Sequence, residues 1–211
     1  MRSSPRANPR RPRIACFQTW DRAAMRAFAT LSGRRVCLRR WRDEDRDAFA
    51  AMNSDARVME FFANSLNRVD SDAMVDRIRA QFAEHGFGLW AIEVPGVAPF
   101  IGFAGLTWAR FSAPFTPCVE VGWRLAFEHW GHGYAIEAAR LALGYGFGTL
   151  ALSEIVSFTS ASNFRSRAVM ERLGMRRDPA EDFDYPSFPE GHPLRRHVLY
   201  RLGSCSHAGM C

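Results

Sequence analysis

Apolar and polar positions alternate most regularly at Val119, Val121 and Trp123, which are interleaved with Glu120, Gly122 and Arg124. Period two predicts a strand with one buried face. A shorter alternation over Arg35–Arg39 predicts a first strand. Asp43 is placed to cap a helix running through Met52, and residues 57–62 form a short helical turn. Ser71 is placed to cap a helix from Asp72 to His85, in which Met74, Val75, Ile78 and Phe82 keep helical spacing until Gly86 and Gly88 end it. Leu89–Val94, Pro95-Gly96 and Phe100–Trp108 read as a hairpin. After the Val119 strand come a helix from Ala135 to about Gly148, a strand over Ile155–Thr159 and a helix over Arg165–Leu173. A proline-containing loop from Asp178 to Pro193 then leads to a closing strand over His197–Leu202. Strands on both sides of helices imply a mixed α/β sheet, and no internal repeat is present.

Composition changes this picture in one respect. With 211 residues and 47% hydrophobic content, one core-forming domain is expected. The formal charge of +6 is concentrated in residues 1–30, which hold seven Arg against one Asp; the remaining charges cancel. The folded part is therefore neutral, and no nucleic-acid partner is implied. No apolar run reaches a membrane span of about 18 residues. The domain is placed at 34–202, between an Arg-rich extension over 1–30, expected to be disordered, and a small polar tail over 203–211. Five cysteines (Cys16, Cys37, Cys118, Cys205 and Cys211) without CxxC spacing suit a reduced, cytoplasmic protein. His129 and His132 stand three apart with no further ligand at metal spacing, so no metal is expected.

The chemistry concentrates at Trp130-Gly131-His132-Gly133-Tyr134-Ala135, between the Val119 strand and the next helix. Glycines let backbone approach a ligand closely, and the first amides of a helix lack internal partners. The helix dipole is positive at that end, which suits a pyrophosphate. Ile136 stands where a dinucleotide fingerprint has its third glycine. All 28 basic residues are Arg, which removes the P-loop lysine and the Schiff-base lysine.

Together with Asn163-Phe164-Arg165-Ser166 and Leu173-Gly174-Met175, this segment resembles the GCN5-related N-acetyltransferases (GNAT). Within them it is most similar to the ribosomal-protein-alanine N-acetyltransferase branch. The family's Q/R-x-x-G-x-G/A loop falls on Trp130, Gly133 and Ala135, with Trp in place of Gln or Arg. Its N-x-x-S/A falls on Asn163 and Ser166. The resemblance covers about Arg34 to Leu202.

This resemblance implies a mixed, mostly antiparallel sheet of six to seven strands, splayed between the fourth and fifth, with about four helices. It implies an acetyl-CoA co-substrate, an amine acceptor, and a monomer or homodimer. Trp123, Arg124 and Leu125 would offer a strand edge to pantetheine, and the segment Trp130, Gly131, His132, Gly133, Tyr134 and Ala135 would hold the pyrophosphate. Asn163 would bond pantetheine or cap its helix, or do both. Glu120 is the candidate base, with a structural carboxylate as its rival role. Ser166 is the candidate proton donor to the departing thiolate. The family's tyrosine position is occupied by Met170, which cannot donate. The acceptor region is expected around Glu60-Phe61-Phe62, Trp90, Trp108 and residues 182–192. Asp182 or Asp184 would meet an ammonium, and His192 and His197 are alternative bases. The acceptor is a protein or peptide N-terminus or a small amine. A silent acetyl-CoA sensor is the rival from another class.

Overall fold

The computed structural model describes residues 30–204. The expectations for the Arg-rich extension, for Cys16, Cys205 and Cys211, and for most of the tail lie outside them.

Among the described residues nine strands form one sheet: β1 Leu31–Ser32, β2 Cys37–Arg39, β3 Leu89–Val94, β4 Ala98–Ala109, β5 Cys118–Leu125, β6 Glu154–Ser160, β7 Arg176–Arg177, β8 Phe183–Asp184 and β9 Arg196–Gly203. Their order is β1-β2-β3-β4-β5-β6-β9-β7, with β8 also on β9. The helices are α1 Asp45–Ser54, α2 Ala56–Met59, α3 Arg68–His85, α4 Tyr134–Gly148 and α5 Phe164–Arg172. Every strand pair is antiparallel except β5 with β6. The sheet exceeds the expected six to seven strands only by two-residue strands. Because β1 precedes the first predicted strand, the expected splay falls between β5 and β6.

That splay is visible in the register. β4 follows β5 residue for residue, from Gly102 opposite Leu125 to Ala109 opposite Cys118. β6 follows β9 over its whole length. Between β5 and β6 a single pair remains, Glu120 with Val156. Beyond it the two strands diverge, so one edge of Val121–Leu125 has no strand beside it.

The main core packs on both faces of this sheet. On one face Trp41, Phe49 and Phe103 meet at ring distances of 4.8–6.4 Å. Phe49 is fully buried, and truncating such a ring to Ala costs about 3–5 kcal/mol. On the other face α4 buries Leu143 and the small residues Ala138, Ala139, Ala142 and Gly146, which seat the helix close to the strands. Asp45 at the start of α1 takes a bidentate pair from Arg39, both partners buried, at 2.8 Å.

Two predicted caps are corrected. Asp43 does not cap α1; its carboxylate meets Arg46 and Arg79 instead. α3 starts at Arg68 because Asn67 accepts from the Asp70 amide. Ser71 lies inside the helix, buried, and is bonded by Asn53.

Candidate active site

β5 runs into a 3-10 turn, Phe127–His129, and then into the glycine segment that starts α4. Gly131 and Gly133 take φ of 78° and 79°, a left-handed conformation that side chains resist. Gly133 is the N-cap and brings no side chain to satisfy the helix. The first amide that reaches back is Glu137, to the Gly133 carbonyl at 3.2 Å. Among the described residues, the amides from Gly131 to Ile136 have no protein acceptor. Six consecutive donors at the positive end of a fifteen-residue helix form an anion cradle.

Side chains hold this cradle from behind. The Trp130 indole donates to the Leu125 carbonyl at 2.9 Å, which ties the loop to the end of β5. Arg35 donates to the His132 carbonyl at 2.9 Å. Its backbone amide and its Nε donate to Glu137 at 2.6 and 2.9 Å, and the Val36 amide joins at 3.2 Å. Burial works against the Glu137 charge, yet these donors hold its carboxyl below the usual range. Neither Arg35 nor Glu137 was singled out from sequence. Glu137 carries one local signal, an acid in the first turn of a helix; its partner lies 102 residues away. His132 is exposed and stacks on Tyr134 at 5.5 Å, its ring outside the cavity walls.

The gap between β5 and β6 opens into a cavity of about 1020 Å³ that reaches from the cradle to the loop after β8. Its walls include Glu120, Trp123, Arg124, Leu125, Trp130, Gly131, Gly133, Tyr134, Ala135, Asn163 and Ser166. The structure therefore gathers every predicted catalytic and coenzyme-binding residue except His132 around one space. The Asn163 carbonyl oxygen accepts from the Ser166 amide at 3.1 Å, which makes it the cap of α5. Its amide donates to Thr159 Oγ1 at 3.0 Å and to Ser166 Oγ at 3.1 Å. Both N–H groups are thus engaged, and only a lone pair of its oxygen is left for a ligand. The Ser166 hydroxyl is an acceptor in that network, so its own proton is free to be donated. Met170 is almost fully buried and also lines the cavity.

Glu120 is the only carboxylate among the described residues that line the cavity. It has neither a hydrogen-bond nor an ion-pair partner among the described residues. Burial pushes its carboxyl up to about 8. Burial, together with the nearby Glu120 charge, raises the Tyr185 hydroxyl. His197 also lines the cavity; burial lowers its pKa, and its Nδ1 lies 3.2 Å from the Arg195 carbonyl.

The acceptor-side expectations divide. Phe61 and Phe62 line the cavity, and so do Tyr185, Ser187 and Phe188. Trp90 is instead a core residue packed against Phe82 and Tyr145, and Trp108 packs on Phe87. Glu60 pairs with Arg165. Asp182 is held by Arg177, and Asp184 by Arg195 and Arg196, so neither carboxylate is free to meet an ammonium. His192 accepts from the Leu194 amide and stacks on Phe188, outside the cavity walls. Among the described residues no three metal-ligating side chains converge.

Residues 35–176 match the acetyltransferase (GNAT) domain family. The chain is 28% identical over 152 residues to the protein YkkB of Bacillus subtilis, covering 72% of this chain and 87% of that one. It superposes on an acetyltransferase from Agrobacterium tumefaciens with a TM-score of 0.66 at 28% identity, over 82% of this chain and 94% of the other. A spermidine N-acetyltransferase from Vibrio cholerae, solved with CoA and spermine, shares the fold at a TM-score of 0.65 and 17% identity, over 83% and 99% of the two chains. No helix among the described residues is long and apolar enough to cross a membrane. A donor cradle, a parted sheet and a family match over most of the domain converge: the chain belongs to the GNAT acetyltransferases and is an acetyl-CoA-dependent acyltransferase.

Proposed function

We propose that this protein moves an acetyl group from acetyl-CoA to a primary amine by direct attack within a ternary complex, and that Glu120 is the base. The observation that carries this reading is the free Glu120 carboxyl, placed where β5 and β6 part and facing the cavity. The amides of residues 131–136 receive the pyrophosphate, and the open edge of Val121–Leu125 aligns the pantetheine arm. An acceptor ammonium must lose a proton before it can attack. A carboxyl raised to about 8 is matched to that task near neutral pH. The tetrahedral oxyanion then needs a donor, which an unpaired β5 amide supplies. As the tetrahedral intermediate collapses and its C–S bond breaks, Ser166 passes its hydroxyl proton to the departing thiolate and recovers a proton from the new amide nitrogen, which sheds the extra proton it carried into the intermediate. Holding thioester and amine together provides much of the acceleration without a covalent enzyme intermediate.

A protein or peptide N-terminus is the acceptor that the family branch suggests; a small amine is the alternative. Cys37 and Cys118 are free thiols, which supports a reducing, cytoplasmic setting. Incubating the protein with acetyl-CoA and a panel of peptides and small amines, then measuring thiol release and the mass of the acetylated amine, tests the reading. Acetylation of at least one amine is expected. Coenzyme binding without transfer to any amine would favour the sensor.

A further inference from the structure

Among the described residues Arg124 is a buried cation without a counter-ion. Its side chain points from β5 to the same face as Glu120, and only 9% of the residue is exposed. Among the described residues no carboxylate pairs with it. Its Nη1 donates to Asn53 Oδ1 at 2.6 Å, while its Nε is buried with no acceptor. Burial lowers its pKa to about 10. A lone buried charge is costly unless something compensates it. What compensates here is weak and rigid. The guanidinium carbon lies 3.9 Å from the Phe62 ring centre and 5.4 Å from that of Phe103. Asn53 is itself fully buried and fixed by its bond to Ser71 Oγ at 2.9 Å. The chain therefore holds the guanidinium in place against the cavity and leaves donors unused.

We infer that Arg124 is an anion receptor in the acceptor half of the site, and that the acceptor is a primary amine carrying a carboxylate or similar anionic group several bonds away. This rests on the amine-acetylation reading above and names its substrate class. Glu120 and Arg124 lie four residues apart on one strand face, about 13 Å at Cα. One end of that face accepts a proton from the amine and the other receives a negative charge. An amino carboxylate satisfies both groups. A polyamine sets an ammonium against a fixed cation that nothing neutralises.

Three acceptors of one length test this: 5-aminovalerate, 5-aminovaleramide and 1,5-diaminopentane. Each is assayed for thiol release with acetyl-CoA and, separately, titrated calorimetrically into the protein with CoA present. The carboxylate should exceed the amide by about tenfold, the worth of a charge-assisted hydrogen bond, and the diamine should be weakest. Arg124→Gln should erase this ranking, and the acetyl-CoA affinity of the variant is measured alongside. Equal binding of carboxylate and amide by the wild-type protein overturns the inference, and needs no variant. So does an Arg124→Gln protein that loses acetyl-CoA affinity but keeps the ranking, because the arginine would then serve the coenzyme. Thiol release with amines regardless of charge sinks the anion receptor and leaves acetyl transfer standing. Carboxylate-selective binding without thiol release supports the receptor and counts against transfer to these amines.

Discussion

The two halves of the cavity are built from different material. The donor half is main chain: six successive amides in one segment, opened by two left-handed glycines. The proposed acceptor half is side chain: Glu120 and Arg124 from β5, Phe62 from the turn after α2 and Tyr185 from the loop after β8, with Asn53 of α1 holding Arg124 from outside the cavity. A backbone cradle needs glycine at the two left-handed positions and a brace such as Arg35 with Glu137, and leaves the other side chains of the segment free. A side-chain pocket depends on which elements the fold brings together. In the proposed function the first grips a constant feature, the pyrophosphate. The second is free to vary with the acceptor.

This contrast gives an order to the effects of substitution. The largest is expected at Glu120. Glu120→Gln should lower turnover by about 10²-fold or more, since it removes the base and leaves the cradle intact. In the wild-type protein, turnover should rise with pH to an inflection set by the Glu120 carboxyl, which burial places at about 8. The same shift bears on stability. A carboxyl with a raised folded-state pKa keeps its proton when the unfolded chain has already lost it. Stability therefore falls as pH rises from the unfolded value, 4.5, to about 8. Glu120→Gln should flatten that fall and raise the melting temperature above pH 8. An unchanged pH profile in the variant would remove the base assignment.

Next comes the cradle. Gly133→Val forces a branched side chain to φ 79°, and its Cβ would stand 3.3 Å from Nη2 of Arg35, whose Nη1 braces the loop. Acetyl-CoA affinity should fall about tenfold, in line with roughly 1–2 kcal/mol of left-handed strain. Discrimination among acceptors should persist. Loss of acceptor selectivity without loss of coenzyme affinity would erase the division between the halves.

Ser166→Ala is expected to be mildest. The Asn163 cap survives through its bond to the residue-166 amide, which does not need the hydroxyl. Turnover should fall about tenfold or less, because a thiolate leaves readily with solvent help. Turnover equal to wild type would end the proton-donor role.

The same contrast explains how much the sequence reveals. The glycine pair, the α5 cap at Asn163 and the alternation of β5 are local, and each was legible. So was the parted sheet, through the resemblance that these motifs carry. Pairings at long sequence separation were not. Nothing near Asp182 or Asp184 announces that Arg177, Arg195 and Arg196 would claim them. Trp90 looks like a pocket wall until Phe82 and Tyr145 enclose it. Ser71 has the chemistry of a helix cap, but Asn67 starts the helix earlier and frees Ser71 to fix Asn53. The role of Arg35 depends on Glu137, far along the chain, and Arg124 acquires its meaning from the missing carboxylate beside it.

The most direct test compares the affinity of the wild-type protein for acetyl-CoA with that for S-acetylpantetheine, which keeps the thioester arm and lacks the nucleotide diphosphate. If the amides of residues 131–136 grip the diphosphate, acetyl-CoA should bind at least about 100-fold more tightly, the worth of one or two hydrogen bonds to charged oxygen. Equal affinity for the two would contradict the account.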